Sequence, residues 1–254
     1  MKLWVRSHNF HRDFCLLFFA FTLAFLRFSI FPAPLFAADE AQQILLRQVR
    51  DQVKSLVPPK EPVGPRLQLA DDAFFLLLAA QGEEAAARQS LDRISGWSKA
   101  SELRLEAQQI APLDREMLLF AEAKASARLS LAEADRRRAQ AQIAQAVGKP
   151  ATTLYLAVMR RDQDSPAESQ SQPAPGNASS VSDLAARLEK ELLPQAHELL
   201  GKIYQSYLFG GVSLTDLLWI EEEVFGTELQ YQKILVQVDK ESNPPDPVPP
   251  PVKK

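Results

Sequence analysis

Apolar residues recur with helical spacing over most of this chain, broken at a few points marked by proline or glycine. Residues 41–57 (AQQILLRQVRDQVKSLV) predict a helix with Ile44, Leu45, Val49, Val53 and Val57 on one face. Pro58, Pro59, Pro62 and Pro65 stop it. A long helix is then expected over about 71–107, and a second over about 114–147. Gly148-Lys149-Pro150 closes the second, with Gly just past the last turn and Pro behind it. Pro112 separates the two, and Asp114 is placed to cap the return helix. Residues 71–147 therefore read as an antiparallel hairpin. Its arms, of roughly 35 residues, would each run about 50 Å. Leu118, Ala125, Ala132, Ala139 and Ala146 recur every seven residues, with Leu129 and Ile143 between them. Small residues in such a seam let helices approach closely; Arg136 interrupts it.

A second hairpin is expected from about Leu184 to Lys240, turning at Gly210-Gly211-Val212-Ser213-Leu214, with Thr215 or Asp216 starting the return helix. There, Leu217, Val224, Tyr231 and Val238 recur every seven residues, and Ile220, Thr227 and Ile234 follow three later, the alternation of a coiled-coil seam. The outward arm repeats this less regularly through Leu192, Ala196, Leu199 and Ile203, and Pro194 implies a kink or a late helix start. Ala151 to Met159 reads as one short strand, and Arg160 to Ser182, rich in Asp, Ser, Gln, Pro and Ala, as a disordered linker. The chain ends in Pro244 to Val252 and Lys253-Lys254, a polyproline-type tail. The expected fold class is all-α: two long antiparallel coiled-coil hairpins joined by a disordered linker, with little or no β-structure. The expected segments are 1–37, an export signal; 38–65, a short helix and Pro-rich connector; 66–150, the first hairpin; 151–182, the linker; 183–241, the second hairpin; and 242–254, the tail.

The signal emerges from the first residues. Lys2, Arg6 and Arg12 precede the apolar run Phe14 to Leu26; Pro32 and Pro34 break any helix, and Leu35-Phe36-Ala37-Ala38 offers small residues for cleavage. A span needs about 20 apolar residues, more than this run supplies before Arg27. Residues 1–37 carry a net charge of +3, so the remainder of a chain whose formal charge is -3 carries -6. An acidic remainder has no basic field to hold nucleic acid. Cys15, His8 and His11 also lie in the first 37 residues, so the chain beyond them has no Cys and a single His, His197.

That composition bounds the chemistry. A zinc site of Cys and His cannot form within one such chain. His197 falls inside an expected helix, with no nucleophile-elbow sequence anywhere, and reads as a surface or seam histidine. Glu221-Glu222-Glu223 points in several directions from a helix and is expected to be solvated. Asn177-Ala178-Ser179 is a formal glycosylation triplet of a kind that is common by chance. No phosphate-binding or dinucleotide-binding glycine motif is present. The expectation is a protein that is not an enzyme and uses no cofactor or metal.

The two hairpins resemble each other at their turns. Ile110-Ala111-Pro112-Leu113-Asp114 aligns with Val212-Ser213-Leu214-Thr215-Asp216, and Arg104-Leu105-Glu106-Ala107 with Ser206-Tyr207-Leu208-Phe209, a period near 102 residues. The pattern resembles the TolC-like outer-membrane efflux protein family. Tyr207, Gly210, Val212, Ser213, Leu214, Asp216 and Leu217-Leu218 match the family's second-half tip, and Pro194-Gln195-Ala196 the opening of that arm. Arg104, Ile110, Leu113 and Asp114 match the first-half tip, and Val147-Gly148-Lys149-Pro150 its helix end; Gln108 stands where Gly is usual.

The resemblance implies a trimeric outer-membrane barrel continued by a periplasmic helical barrel, whose tips meet a periplasmic adaptor tied to an inner-membrane pump. Tip contacts would be Ile110, Leu113, Asp114, Gly210, Gly211, Val212, Ser213, Leu214 and Asp216. Family members are longer, and each half supplies barrel strands of about 9–11 alternating residues. Only Thr152 to Met159 comes near such a strand. The expected protein is thus a shortened, divergent member. It would sit in the periplasm or outer membrane of a Gram-negative bacterium, associating with itself or with a full-length relative. The alternative is a periplasmic coiled-coil scaffold or chaperone without a transport role.

Overall fold

The computed structural model describes residues 42–58, 61–159 and 180–244. The export signal, most of the linker and the proline-rich tail lie outside these residues. Strand β1 (Gln42–Ile44) leads into helix α1 (Leu46–Leu56). The first hairpin is α2 (Gly64–Glu106) and α3 (Pro112–Ala146), followed by strand β2 (Tyr155–Ala157). The second begins with α4 (Val181–Arg187), passes through a π-helical turn (Leu188–Leu192) into α5 (Leu193–Leu208), and returns as α6 (Leu214–Ser242). Among the described residues no helix is long and apolar enough to cross a membrane. The all-α expectation holds: two long helical hairpins dominate, and the described β-structure is one parallel pair with Gln42 opposite Tyr155 and Ile44 opposite Ala157.

That pair corrects one element and narrows another. Residues 42–44, expected to open the first helix, are extended. Val158 donates from its backbone N–H to Ile44 O at 3.1 Å, and Gln42 N–H to Leu154 O at 3.0 Å, bonds a helix could not make. The strand expected over 151–159 is three residues long. Its Ala157 backbone is met by the Gln81 amide, which donates to Ala157 O and accepts from Ala157 N–H, each at 3.2 Å. Gln140 Nε2 donates to Tyr155 O at 3.3 Å. Side-chain amides from both arms of the first hairpin thus serve the backbone groups of so short a ladder.

The helices begin and end where local chemistry allows. Pro65 lies in the first turn of α2, where its missing N–H costs no bond, so the helix starts earlier than expected and is 43 residues long. That is about 65 Å at ~1.5 Å per residue. Pro112 likewise opens α3 rather than preceding it, with Ala111 at the N-cap; Asp114 is a first-turn residue, not the cap. In the second hairpin Pro194 does not delay the arm, which is already helical from Val181. The preceding turn widens so that Leu193 N–H reaches back five residues to Leu188 O, and the helix continues through the proline.

At the base, α1 lies on the start of α2 and the end of α3. Val49, Val53, Phe74, Leu77, Ala139, Ile143 and Tyr155 form one buried cluster there. Arg50 grips Asp71 with two bonds, Nε to Oδ1 at 2.9 Å and Nη2 to Oδ2 at 2.8 Å, and also donates to Asn243 O at 3.2 Å, tying α1 to the end of α6. Along the first hairpin the small-residue seam is as expected: Leu118, Ala125, Ala132, Ala139 and Ile143 are buried. Arg136, which interrupts it, is ion-paired with Glu84 of α2. Toward the tips Ile94 and Trp97 (α2), Leu118 and Ala125 (α3), Leu200 and Tyr207 (α5), and Leu214, Leu217 and Val224 (α6) share one core. The hairpins are therefore not independent arms but a four-helix unit. At Gly82, α2 and α6 come so close that a Cβ would stand 2.9 Å from the Cβ of Gln232.

Both tips end in the same hydrogen-bonded pattern, 102 residues apart. Gln109 N–H donates to Arg104 O at 2.8 Å, and Gly211 N–H to Ser206 O at 2.8 Å. Gln108 N–H donates to Leu105 O at 2.9 Å, and Gly210 N–H to Tyr207 O at 3.1 Å. These paired bonds require a left-handed residue at the corner. Gly210 takes it at φ 75° and Gln108 at φ 57°. A side chain there costs about 1 kcal/mol relative to glycine. Gln108→Gly is therefore expected to raise the urea midpoint by about 0.5–1 kcal/mol of stability, and Gly210→Gln to lower it by a similar amount. Changes of the same sign in both variants would show that backbone conformation is not what separates the two corners.

Candidate functional site

The two tips lie side by side. Arg104, near the end of α2, donates from Nη2 to Leu208 O at 3.2 Å and sets its guanidinium 4.9 Å above the Tyr207 ring. Deeper in, Trp97 stacks on Tyr204 with ring centroids 5.4 Å apart. An open groove results between the turns. Of the residues expected at the tips, Ile110, Asp114, Gly210, Val212, Ser213 and Leu214 line it. The structure brings these six together from segments about a hundred residues apart. Leu214 faces inward and is buried in the shared core. Leu113, Gly211 and Asp216 are exposed outside the groove.

Apolar surface surrounds this groove. Phe209 is 87% exposed and Leu113 68%. Tyr207 is buried, and its hydroxyl has no hydrogen-bond partner among the described residues. Burial pushes the Tyr207 phenol up; nearby Arg104 pulls the other way. The repeat alignment already placed Tyr207 at the tip, but the exposed Phe209 had no sequence signal beyond its position in the turn.

The second turn is held by a reciprocal cap. Ser213, not Asp216, is the N-cap: Asp216 N–H donates to Ser213 Oγ at 3.1 Å, and Ser213 N–H donates back to Asp216 Oδ2 at 3.2 Å. Ser213 Oγ–H also donates to Asp216 Oδ2 at 2.7 Å. The hydroxyl, and then the backbone N–H, hold the Asp216 carboxyl below its ordinary value. The first tip has Ala111 at the equivalent N-cap and no side-chain cap.

A polar cluster two to four turns from the tips was missed by sequence reasoning. Glu221 is buried, 2% exposed at its side chain, rather than solvated. Glu222 is half-exposed, paired with Lys124 at 3.2 Å and with Arg128; Glu223 is exposed. Ser90 Oγ–H donates to Glu221 Oε1 at 2.8 Å, and Arg93 Nη2 donates to the same atom at 3.1 Å. Arg93 also holds Glu228, Nη1 to Oε1 at 2.9 Å and Nη2 to Oε2 at 3.1 Å. Burial opposes the Arg93 charge, but Glu228 and then Glu221 outweigh it and hold the guanidinium above its ordinary value. His197 Nε2 lies 2.8 Å from Glu228 Oε1 with a side chain 48% exposed, so it is a seam histidine bonded to a carboxylate.

The signal for this cluster was a register shift. The buried line on α6 is Leu214, Leu217, Glu221, Val224, Glu228 and Tyr231. Its first set matches the expected heptad positions, but the second set lies one residue past Ile220 and Thr227, which are half-buried. Among the described residues no group of three or more His, Cys, Asp or Glu is arranged to hold a metal ion. The cluster's carboxylates face a guanidinium, a hydroxyl and the His197 imidazole, contacts that join α2 and α5 to α6.

Two outcomes follow. Removing one partner of a buried charge network leaves the others unpaired. Arg93→Met is expected to cost about 3 kcal/mol in urea unfolding, and adding Glu221→Leu and Glu228→Met to recover most of it. A loss below about 1 kcal/mol for the single variant would mean the network does not hold the hairpins. For the cap, a depressed carboxylate contributes stability that is present above the unfolded titration, near pH 4, and lost as pH falls through the folded one. Thermal stability of the native chain is thus expected to fall more steeply between about pH 5 and pH 2 than that of Asp216→Asn. Parallel curves would remove the cap from the acid response.

No protein-family model, no curated protein and no solved structure matches this chain.

Proposed function

We propose that this protein is an exported envelope component that acts as the periplasmic helical part of an efflux channel. Its paired tips bind a periplasmic adaptor, which links it to an inner-membrane pump. The observation that carries this reading is the repeated tip: two turns with equivalent backbone bonds 102 residues apart, set together around one groove. The apolar side chains of Leu113 and Phe209 beside that groove support a docking role, since large apolar groups held in water favour a partner that covers them.

The role is one of contact rather than catalysis, with no cofactor. The described strands are three residues each, so a membrane barrel would come from a full-length relative or from elsewhere in an assembly. Leu184, Leu192 and Leu199 support such an association. The π turn inserts one residue between the first two, which puts all three on one exposed line of the second hairpin. The second reading, a periplasmic scaffold or chaperone, is favoured by the core that the four helices share, which makes the bundle self-sufficient.

The test is affinity capture of the full-length tagged protein from Gram-negative envelopes. An adaptor or pump is expected to co-purify, and Leu113→Ser with Phe209→Ser to reduce its recovery by about ten-fold while the melting temperature is unchanged. Both side chains are exposed, so the variant leaves the core intact. Capture without any adaptor or pump, or recovery unaffected by the double variant, would overturn the tip assignment in favour of the scaffold.

A further inference from the structure

A second groove, about 760 Å³ in volume, lies at the base between the β1–α1 junction and the end of α6. Leu45, Leu46, Phe74 and Val158 give it an apolar lining. Arg47, Arg50 and Lys54 of α1 bring cations to it. Two acids line it as well, and both are engaged. Asp51 makes a loose surface pair with Arg47 at 4.0 Å, with both side chains largely exposed. Asp239 is buried and accepts from Asn243 Nδ2 at 3.2 Å, and burial raises its carboxyl above the ordinary value.

The described residues end at this groove. Helix α6 stops at Ser242, Asn243 lines the groove, and Pro244 is the last described residue. Arg50 Nη2 donates to Asn243 O at 3.2 Å and to Pro244 O at 3.3 Å, so two successive carbonyls are already drawn onto α1. Ten residues follow, Pro245 to Lys254 (PDPVPPPVKK), and five of them are prolines. Proline has no backbone N–H to leave unpaired, so a docked segment of this kind needs donors only for its carbonyls. The cations of α1 are such donors.

The spacing of charge fits this segment. A polyproline-type chain advances about 3.1 Å per residue, so Asp246, two residues past Pro244, would lie about 6 Å beyond the carbonyl that Arg50 holds. Arg47 stands three residues before Arg50 and Lys54 four after it, about 4.5 Å and 6 Å along α1 at ~1.5 Å per residue. Asp246 would therefore meet a cation whichever way the segment ran along α1. Pro245 and Val248, three apart, would share one face of a helix with three residues per turn.

We infer that residues 245–254 dock in this groove as a strap. Asp246 meets Arg47 or Lys54, Val248 lies against the apolar lining, and the strap clamps α1 onto the end of α6. It sits at the opposite end of the bundle from the tips and does not depend on what the tips bind.

Hydrogen exchange of the full-length protein, of a chain ending at Pro244 and of two Asp246 variants tests this. Amides of residues 45–57 are expected to exchange at least about ten-fold faster in the shortened chain and in Asp246→Lys, and at the native rate in Asp246→Glu. Equal exchange of these amides in the full-length and shortened chains, or native exchange in Asp246→Lys, would overturn the strap. Protection that grew with protein concentration would overturn it too, placing a neighbouring chain's tail in the groove. Should the shortened chain fail to fold, the two Asp246 variants decide it.

Discussion

Two of the three buried carboxylates of α6, Glu221 and Glu228, meet α2 at its seam, and the placement of the second hairpin depends on what they meet there. Glu221 and Glu228 are seven residues apart, so both face α2, two turns apart along the seam. Desolvating them costs several kcal/mol each unless a partner is delivered in good geometry. Arg93 delivers it to both at once, and Ser90 adds a hydroxyl. A slip of α6 by one turn would leave both carboxylates and the guanidinium buried and unpaired. Apolar seam residues tolerate such slips; this cluster does not, and it therefore fixes which level of the second hairpin meets which level of the first. The tips meet at one height as a consequence, which lets Arg104 reach Leu208 and Tyr207.

The apolar parts of this architecture were legible from spacing. The Ala-rich seam of α3 and the line Leu217, Val224 and Tyr231 of α6 are buried as their seven-residue recurrence indicated. Helix ends written by Gly148 and Gly210 were equally clear, since a left-handed corner leaves a residue-type signature. What was not legible has three physical sources. Glu221 looked solvated because charge normally signals a wet face, and only the pairing residue on a distant helix overrides that. Residues 42–44 looked helical because Ile44 continues the apolar spacing of α1, whereas the partner that makes them a strand arrives more than a hundred residues later. Prolines 65 and 112 do mark breaks, but each lies in the first turn of the helix that follows rather than outside it, and Pro194 lies behind a widened turn.

The candidate site divides along the same lines. Its turn residues could be aligned from sequence because both tips obey the same local rules. The groove between them could not, since it exists only because two separate hairpins stop at the same level. Ser213 and Asp216 illustrate the point in small: their cap is local and could be read from the serine-to-acid spacing, although the helix expected to start at Thr215 or Asp216 is capped by Ser213, with Asp216 in its first turn. Leu214 belongs to the turn in sequence and to the core in space.

The widened turn at Leu188–Leu192 has a consequence for how this chain tolerates change in length. An ordinary helix advances by about 100° per residue, so deleting one residue from α6 would rotate every seam position beyond it away from α2. In the π turn the extra residue is already absorbed by a bond that reaches back five positions instead of four. Losing it would return the backbone to ordinary helix and leave α4 in nearly the same phase relative to α5. The molecule thus has one place in its second hairpin where arithmetic is negotiable, upstream of every residue that contacts the first hairpin at the tips.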